Sequence, residues 1–336
     1  MTWRMPAEWE HHQGCLMAWP TRRDLWNHHL DEARREYAAT AAAIVAFEPV
    51  VMIAAPDDAA GARSMLPAEV NVIEIAIDDS WIRDSGPIFT VNGAGDRDGE
   101  RSGADFAFNS WGEKFEPWDQ DALVGRRVLE HFGVRRRPSN MVLEGGSITV
   151  DGAGTGITTV QCNRHPNRNP AMSREEVESE LASMLGLDTL IWLPWGLIED
   201  LDTDGHVDNV CTFVRPGVVL AHGAGDNPSH PNYARMSANL AVLRSSLDTA
   251  GAPLEVIEVP QASYFDIDGD RYRNSYLNFY VANGGVVVPV AGHPNDAAAL
   301  AIISAAFPDR AVVGVPSRVL AYGGGGVHCI TQQIPG

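Results

Sequence analysis

Cysteine is scarce in this chain. Its 336 residues hold four, Cys15, Cys162, Cys211 and Cys329, far apart and with no CxxC pair. In a chain of this size that pattern argues against a disulfide framework and for reduced thiols in the cytoplasm. Long apolar runs are missing as well. No stretch approaches the ~20 residues that span a bilayer, and the opening MTWRMPAEWEHHQGC lacks the charged-then-apolar order of an export signal. No Ser/Gly-rich or Pro-rich linker divides the chain, so one domain over residues 1–336 is expected. Basic residues are also few. The 25 Lys and Arg stand against 44 Asp and Glu, a formal net charge of −19. Such a field repels nucleic acid and anionic membranes and draws in small cations, although it also serves plain solubility.

What is present is a regular alternation of helical and strand signals. Asp31 to Phe47 begins acidic and carries an apolar stripe, and Asp119 to Phe132 is closed by Gly133. Ser173 to Leu185 opens with Ser173 and Glu176 at capping-box spacing, and Asn232 to Leu247 and Asp296 to Phe307 complete the set. Between them lie short β-branched runs bounded by glycine: GPIFTVNG, EGGSITVDG, GHVDNVCTFVRPG, NGGVVVPVAG and GGGGVHCITQ. Their first glycines, Gly86, Gly145, Gly205, Gly284 and Gly323, recur irregularly at roughly sixty-residue intervals, as similar β-α units around an axis would require.

Five polar residues stand at the mouths of these runs: Asp84, Glu144, His206, Asp208 and Cys329. If GHVD is extended, His206 and Asp208 share one face and Val207 turns away. A purely structural pair is the bland alternative. If WIRD is extended, Trp81 and Arg83 share a face and Asp84 lies opposite, so Arg83 and Asp84 do not pair directly. Glu144 ends an apolar run before two glycines, where a carboxylate is costly unless paired or hydrogen-bonded, and the glycines allow another group to come close. A turn carboxylate accepting backbone hydrogen bonds is the plain alternative. Cys329 follows Gly323 to Gly326. A phosphate loop would need a following Lys-Ser/Thr, which is absent. Cys329 is therefore the nucleophile candidate, while Cys15, Cys162 and Cys211 sit in apolar surroundings as small core residues.

Carboxylates, a histidine and a thiol are the mixture a guanidinium ion needs. The ion is planar and permanently charged, and it offers N–H donors in a fork that matches carboxylates. Its carbon is a poor electrophile, which calls for a thiolate nucleophile, and a histidine can protonate departing ammonia and then deprotonate water. No metal or other cofactor is required.

MPAEWE, WIRDSGPIFTVN, FNSWGEKFEPWDQD, LEGGSITVDG, PNRNP, TDGHVDN, NFYVANGGVVVPV and GGGGVHCITQQ together resemble the agmatine deiminases, within the guanidino-group-modifying superfamily. The resemblance runs in family order over residues 5 to 335. It implies a pentein fold, an α/β propeller of five ββαβ-type units with pseudo-fivefold symmetry around a central channel. It implies hydrolysis of agmatine to N-carbamoylputrescine and ammonia through a covalent thiouronium, in putrescine and polyamine biosynthesis. By motif, Cys329 is the nucleophile, His206 the acid/base with Glu144 beside it, and Asp84 and Asp208 bind the guanidinium. Trp81 lines the pocket, where an aromatic face attracts a cation. A homodimer or higher homo-oligomer is kept open. The chain departs from common family wording at Leu201, in CNRHPNRNP and in WPTRRDLWN, none of which touches the five catalytic candidates.

Three rivals remain. A deiminase of the same fold could act on arginine, peptidyl-arginine or another guanidine; free arginine would need cationic groups for its carboxylate, for which Arg4, Arg164 and Arg168 are the candidates. A metal-dependent hydrolase would use His206, Asp208, His328 and Cys329 as zinc ligands. A non-catalytic guanidine-binding protein would have no need of the thiol.

Overall fold

The computed structural model describes residues 3–93 and 100–336. Its architecture is α/β, with five mixed sheets of three or four strands among the described residues and one separate two-stranded hairpin. Each mixed sheet repeats one pairing pattern. Ile88–Asn92 runs antiparallel to Arg101–Ala107, which runs parallel to Arg135–Val142. Ile148–Val150, Thr155–Thr159 and Thr189–Leu193 do the same, as do Cys211–Arg215, Val218–His222 and Glu255–Val259. Tyr280–Val281, Gly285–Val290 and Ala311–Pro316 form the fourth. In the fifth, Thr331–Pro335 pairs antiparallel with His12–Ala18, which runs parallel to Val50–Ala54, so segments from both ends of the chain share one sheet.

A parallel pair cannot be joined by a tight turn and needs a crossover. The five long helices supply it: Val124–His131, Arg174–Leu185, Tyr233–Ser245, Asp296–Ala306 and Leu30–Val45. Each lies within a few residues of its sequence expectation. The capping box between Ser173 and Glu176 forms in both directions. Each helix buries its apolar stripe in a cluster shared by its own sheet and a second one. Leu30–Val45 buries Ala33, Tyr37, Ala41 and Ile44 with Met17 and Met52.

The short segment that leads into the first strand of each sheet is irregular, and this corrects two expectations. WIRD is not extended: Ile82–Ser85 is one helical turn, closed by Ser85 and Gly86 amides bonding the Trp81 and Ile82 carbonyls. GHVD is not extended either. Val207–Asn209 is a 3-10 turn, and the strand begins only at Cys211. The shared-face arguments built on strand periodicity therefore do not apply there. The glycine recurrence also slips in the fourth sheet. Gly285–Val290 is its middle strand, and the segment equivalent to the other four is Asn274–Phe279.

Candidate active site

The five lead-in segments come together and carry the candidate residues: Trp81 and Asp84, Glu144, His206 and Asp208, Asn278, and Cys329. Trp81, Asp84 and Cys329 line one cavity with Trp111, Phe115 and Asp202. Trp81 is buried against Trp26, with ring centroids 5.8 Å apart, and Trp26 occupies the space a Cβ on Gly323 would need. Gly325 likewise leaves room for the Trp81 ring, and Gly324 has φ +99°. Close approach is thus what the four glycines provide. The helix Leu30–Val45 braces both walls: Tyr37 bonds Ser80 at 2.9 Å, and the Glu36 carboxylate accepts from the Val319 and Leu320 amides at 3.2 and 2.8 Å.

Asp84 is held by the Trp111 indole N–H at 3.0 Å and the Gly146 amide at 2.9 Å. Burial raises its pKa, with Asp208 and Glu144 adding to the rise and His206 opposing it. A Cβ on Gly146 would lie 2.6 Å from His206 Nδ1, 2.8 Å from Asp208 Oδ2 and 3.0 Å from Asp84 Oδ1. Three site side chains therefore converge on one missing methyl, which accounts for the second glycine of LEGG.

His206 is fully buried between two carboxylates. Nδ1 is 3.9 Å from Asp84 and Nε2 is 3.7 Å from Glu144, too long for hydrogen bonds, and neither ring nitrogen has another partner among the described residues. Burial alone would lower its pKa, but Asp84, Cys162 and Glu144 outweigh it and hold the imidazole charged well above its usual range. Glu144 stands in close ion contact with Arg168, Nε to Oε1 at 2.6 Å, without hydrogen-bond alignment. Burial opposes its ionisation, yet Arg168 and His206 bring its pKa below the usual range.

Cys329 Sγ lies 3.6 Å from Asp208 Oδ2 and accepts from Asn278 Nδ2 at 3.3 Å. Burial, then the Asp208 and Asp84 carboxylates, raise the thiol far above its usual value. Asp208 accepts from His328 Nδ1 at 2.9 Å, and His328 Nε2 lies 2.7 Å from Glu8. Glu8 in turn pairs with Arg83 at 3.2 Å, and Arg83 donates to Gln333 at 2.8 Å. Arg83 and Asp84 thus serve different partners, as expected, although through a helical turn.

Six of these side chains are the candidates named from the sequence; Asn278, Trp111 and Glu8 were not singled out, and Arg168 and His328 were weighed only as a cation for a carboxylate and as a zinc ligand. PNRNP was the available signal for part of this. Asn167 donates to Asp204 at 3.0 Å and fills the space beside Gly112, Arg168 holds Glu144 and Asp204, and Asn169 bonds Val142 in both directions. Ser110, Trp111, Gly112 and Glu113 all have positive φ, so the turn that aims the Trp111 indole is strained. Asn109 steadies it by accepting from the Gly112 amide at 3.0 Å.

Cys162 is corrected from plain core filler: it is buried, but its sulfur lies within 4.8 Å of ligand atoms of Glu144 and His206. The four zinc ligands weighed from sequence do not form one such set; His206 groups with Glu144 and Cys162 instead. That set suits a metal poorly, since the Arg168 cation already occupies Glu144. None of Arg4, Arg164 and Arg168 lines the cavity. Arg4 pairs with Glu10 at 2.6 Å, Arg164 donates to the Met172 carbonyl at 2.5 Å, and Arg168 is buried on Glu144 and Asp204.

A buried thiol among carboxylates and a charged histidine suits a planar cation, and comparison with known proteins places the chain among the guanidine-modifying deiminases. The model of the Porphyromonas-type peptidyl-arginine deiminase family matches residues 4–335. The agmatine deiminase of Pseudomonas aeruginosa (strain UCBPP-PA14) is 44% identical over 357 residues, covering 99% of this chain and 95% of that protein. A putative agmatine deiminase of Streptomyces coelicolor is 43% identical over 342 residues, covering 100% and 99%. The solved agmatine deiminase of Enterococcus faecalis superposes with a TM-score of 0.94 at 34% identity, covering 99% of this chain and 96% of that one. The chain therefore belongs to the Porphyromonas-type peptidyl-arginine deiminase family, and among its members to the agmatine deiminases. Among the described residues, no helix is long and apolar enough to cross a membrane.

Proposed function

We propose that this protein hydrolyses agmatine to N-carbamoylputrescine and ammonia, with residues 1–336 acting as a single catalytic domain. Five sheets with one repeated pairing pattern support a pseudo-fivefold ring with the cavity on its axis. The observation that carries the chemistry is the placement of the Cys329 thiol 3.6 Å from Asp208, beside a cavity that Asp84 also lines. A guanidinium ion fits between the carboxylates of Asp84 and Asp208, against the faces of Trp81 and Trp111. Its positive charge offsets the two carboxylates that keep the thiol protonated, so binding itself favours the thiolate, and the thiol proton leaves to solvent as the cation enters.

Cys329 sulfur then bonds to the guanidinium carbon. His206, charged in the free protein, donates its proton to the leaving nitrogen, and the C–N bond breaks to release ammonia and leave a thiouronium on sulfur. Neutral His206 next takes a proton from water as its oxygen bonds to the same carbon. Collapse of that adduct breaks the C–S bond, the hydroxyl proton leaves to solvent as the ureido C=O forms, and the product departs from the Cys329 thiolate, which regains its proton once the site is empty. Glu144, ionised beside Arg168, stabilises the imidazolium before the first proton transfer and after the second. Asp202 stands at the cavity wall, where burial and Asp200 raise its pKa against the pull of Lys114, so an added cation there favours its charged form and it suits the ammonium end of agmatine. The carboxylate of free arginine would meet this acid instead of a cation, which favours agmatine. The four free thiols support a cytoplasmic setting, and putrescine synthesis is the role the product suits.

The deciding assay incubates the protein with agmatine, arginine and a blocked arginyl peptide in EDTA, following ammonia and ureido product together. Ureido product from agmatine alone is the expected result. Product from another guanidine would keep the thiol chemistry and replace the substrate. No product from any of them would defeat the reading.

A further inference from the structure

One group of metal-ligating side chains lies outside the site and has no part in the chemistry above. His28 and His29 sit in a 3-10 turn, Asn27–His29, that follows the helical turn Arg23–Trp26. Asp268 is at the tip of the hairpin formed by Phe265–Ile267 and Asp270–Tyr272, where Asp268 and Gly269 have φ of +54° and +92°. Although distant in sequence, the three converge. Nε2 of His28 is 3.3 Å, and Nε2 of His29 is 2.9 Å, from the same oxygen, Asp268 Oδ2. One ligand atom from each residue lies within 4.8 Å of the others. The other ring nitrogen of His29, Nδ1, faces Glu32 Oε2 at 3.6 Å.

We propose that His28, His29 and Asp268 bind a divalent transition-metal cation of the zinc class, with Glu32 orienting the His29 ring from behind. Two imidazoles and a carboxylate suit zinc, nickel or copper rather than calcium or magnesium. Zinc bonds of about 2.0–2.1 Å in a tetrahedral shell put neighbouring ligand atoms about 3.3 Å apart, so the two distances to Asp268 need only tenths of an ångström of adjustment, and the two imidazole nitrogens are already within 4.8 Å of each other. A carboxylate on the far nitrogen of a ligating histidine is the usual way to fix its tautomer. Water would complete the shell.

The location gives the cation a consequence. His29 packs on Tyr322 with centroids 4.9 Å apart, and Asn27 Nδ2 donates to the Tyr322 hydroxyl at 3.2 Å. Tyr322 also contacts Tyr272 of the hairpin at 5.4 Å and directly precedes Gly323, Gly324 and Gly325 of the cavity wall. Leu25, just before the histidine turn, lines the same cavity. An occupied site ties hairpin, histidine turn and glycine segment together at the mouth. This reading is independent of which guanidine the protein uses.

Calorimetric titration of the metal-free full-length protein with zinc chloride tests it, alongside Asp268→Asn and the double variant His28→Gln/His29→Gln. The wild type should take up one equivalent that Asp268→Asn weakens about tenfold or more and the double variant removes. Asp268→Asn should keep the wild-type circular dichroism because Asp268 is exposed, and the same spectrum from the double variant, whose His29 is largely buried, shows that its loss of uptake is not unfolding. Zinc should also slow amide exchange over residues 265–272 in the wild type and not in the variants. Uptake that persists unchanged in both variants, as binding at Cys329 would, overturns the proposal. So does a wild type that takes up no zinc, or an unaltered exchange pattern.

Discussion

Asn278 grips Cys329 with both ends of its amide: Oδ1 accepts from the Cys329 backbone N–H at 3.3 Å while Nδ2 donates to Sγ at the same distance. Oδ1 also accepts from the His328 amide at 3.0 Å, which fixes the orientation of the group. The donor on sulfur lowers a thiol pKa that burial and two carboxylates raise. Asn278→Ala should therefore cut kcat/KM on the order of ten- to a hundredfold and move the pH dependence of thiol alkylation upward. An unmoved alkylation profile would reduce Asn278 to a scaffold residue.

Gly146→Ala places a methyl within 2.6 to 3.0 Å of His206, Asp208 and Asp84 at once. Overpacking of this kind costs about 1–3 kcal/mol of stability, but displacement of three site groups should lower kcat on the order of a hundredfold or more. Kinetics and thermal melts together check it. Wild-type turnover would mean that the three side chains need not hold this spacing.

Arg168→Lys keeps the charge but cannot serve Glu144, Asp204 and the Thr203 carbonyl together. Arg168 attraction is what keeps Glu144 below its usual pKa against burial. Weakening it raises that pKa, so the acid limb of the kcat/KM profile should move to higher pH, with kcat about tenfold lower or more. A purely structural arginine would lose stability and leave the limb in place.

Glu8 offers a stability test with a definite sign. Burial raises its pKa, but His328 and Arg83 more than offset this and bring it from 4.5 to about 2. A carboxylate depressed in the folded state contributes stability above its unfolded pKa and loses it as pH falls toward the folded value. Glu8→Gln should thus cost about 3 kcal/mol near neutral pH. Denaturant melts should show the gap to wild type closing between about pH 4.5 and 2. A gap that does not depend on pH would mean the carboxylate charge is not what matters.

Much of the site was legible because its residues sit beside glycines and apolar runs, where a charge has no ordinary reason to be. Glu144 and Cys329 stand out on that ground. Asn278 does not: in NSYLNFY it reads like any turn asparagine, and the glycine pair six residues later drew attention to the wrong strand. His328 was visible only as a zinc candidate, since nothing local shows that its ring bridges Glu8 and Asp208. Arg168 was noticed as a free cation, whereas folding encloses it completely and commits it to Glu144.

The sequence by itself determined the helices, the capping box at Ser173 and Glu176, the turn glycines and the family, because these rest on side-chain periodicity and local backbone preference. It also determined the stock of reactive groups. Tertiary structure alone decided that 82–85 and 207–209 are helical turns and not strands. There the backbone follows its place at the meeting of sheets, not its own propensity. Only the fold brings five lead-in segments, from Trp81 to Cys329, within a few ångströms, so the charged His206 and the suppressed thiol of Cys329 exist only once those segments are packed together. A pKa depends on burial and on neighbouring charge, and both are properties of the assembled chain.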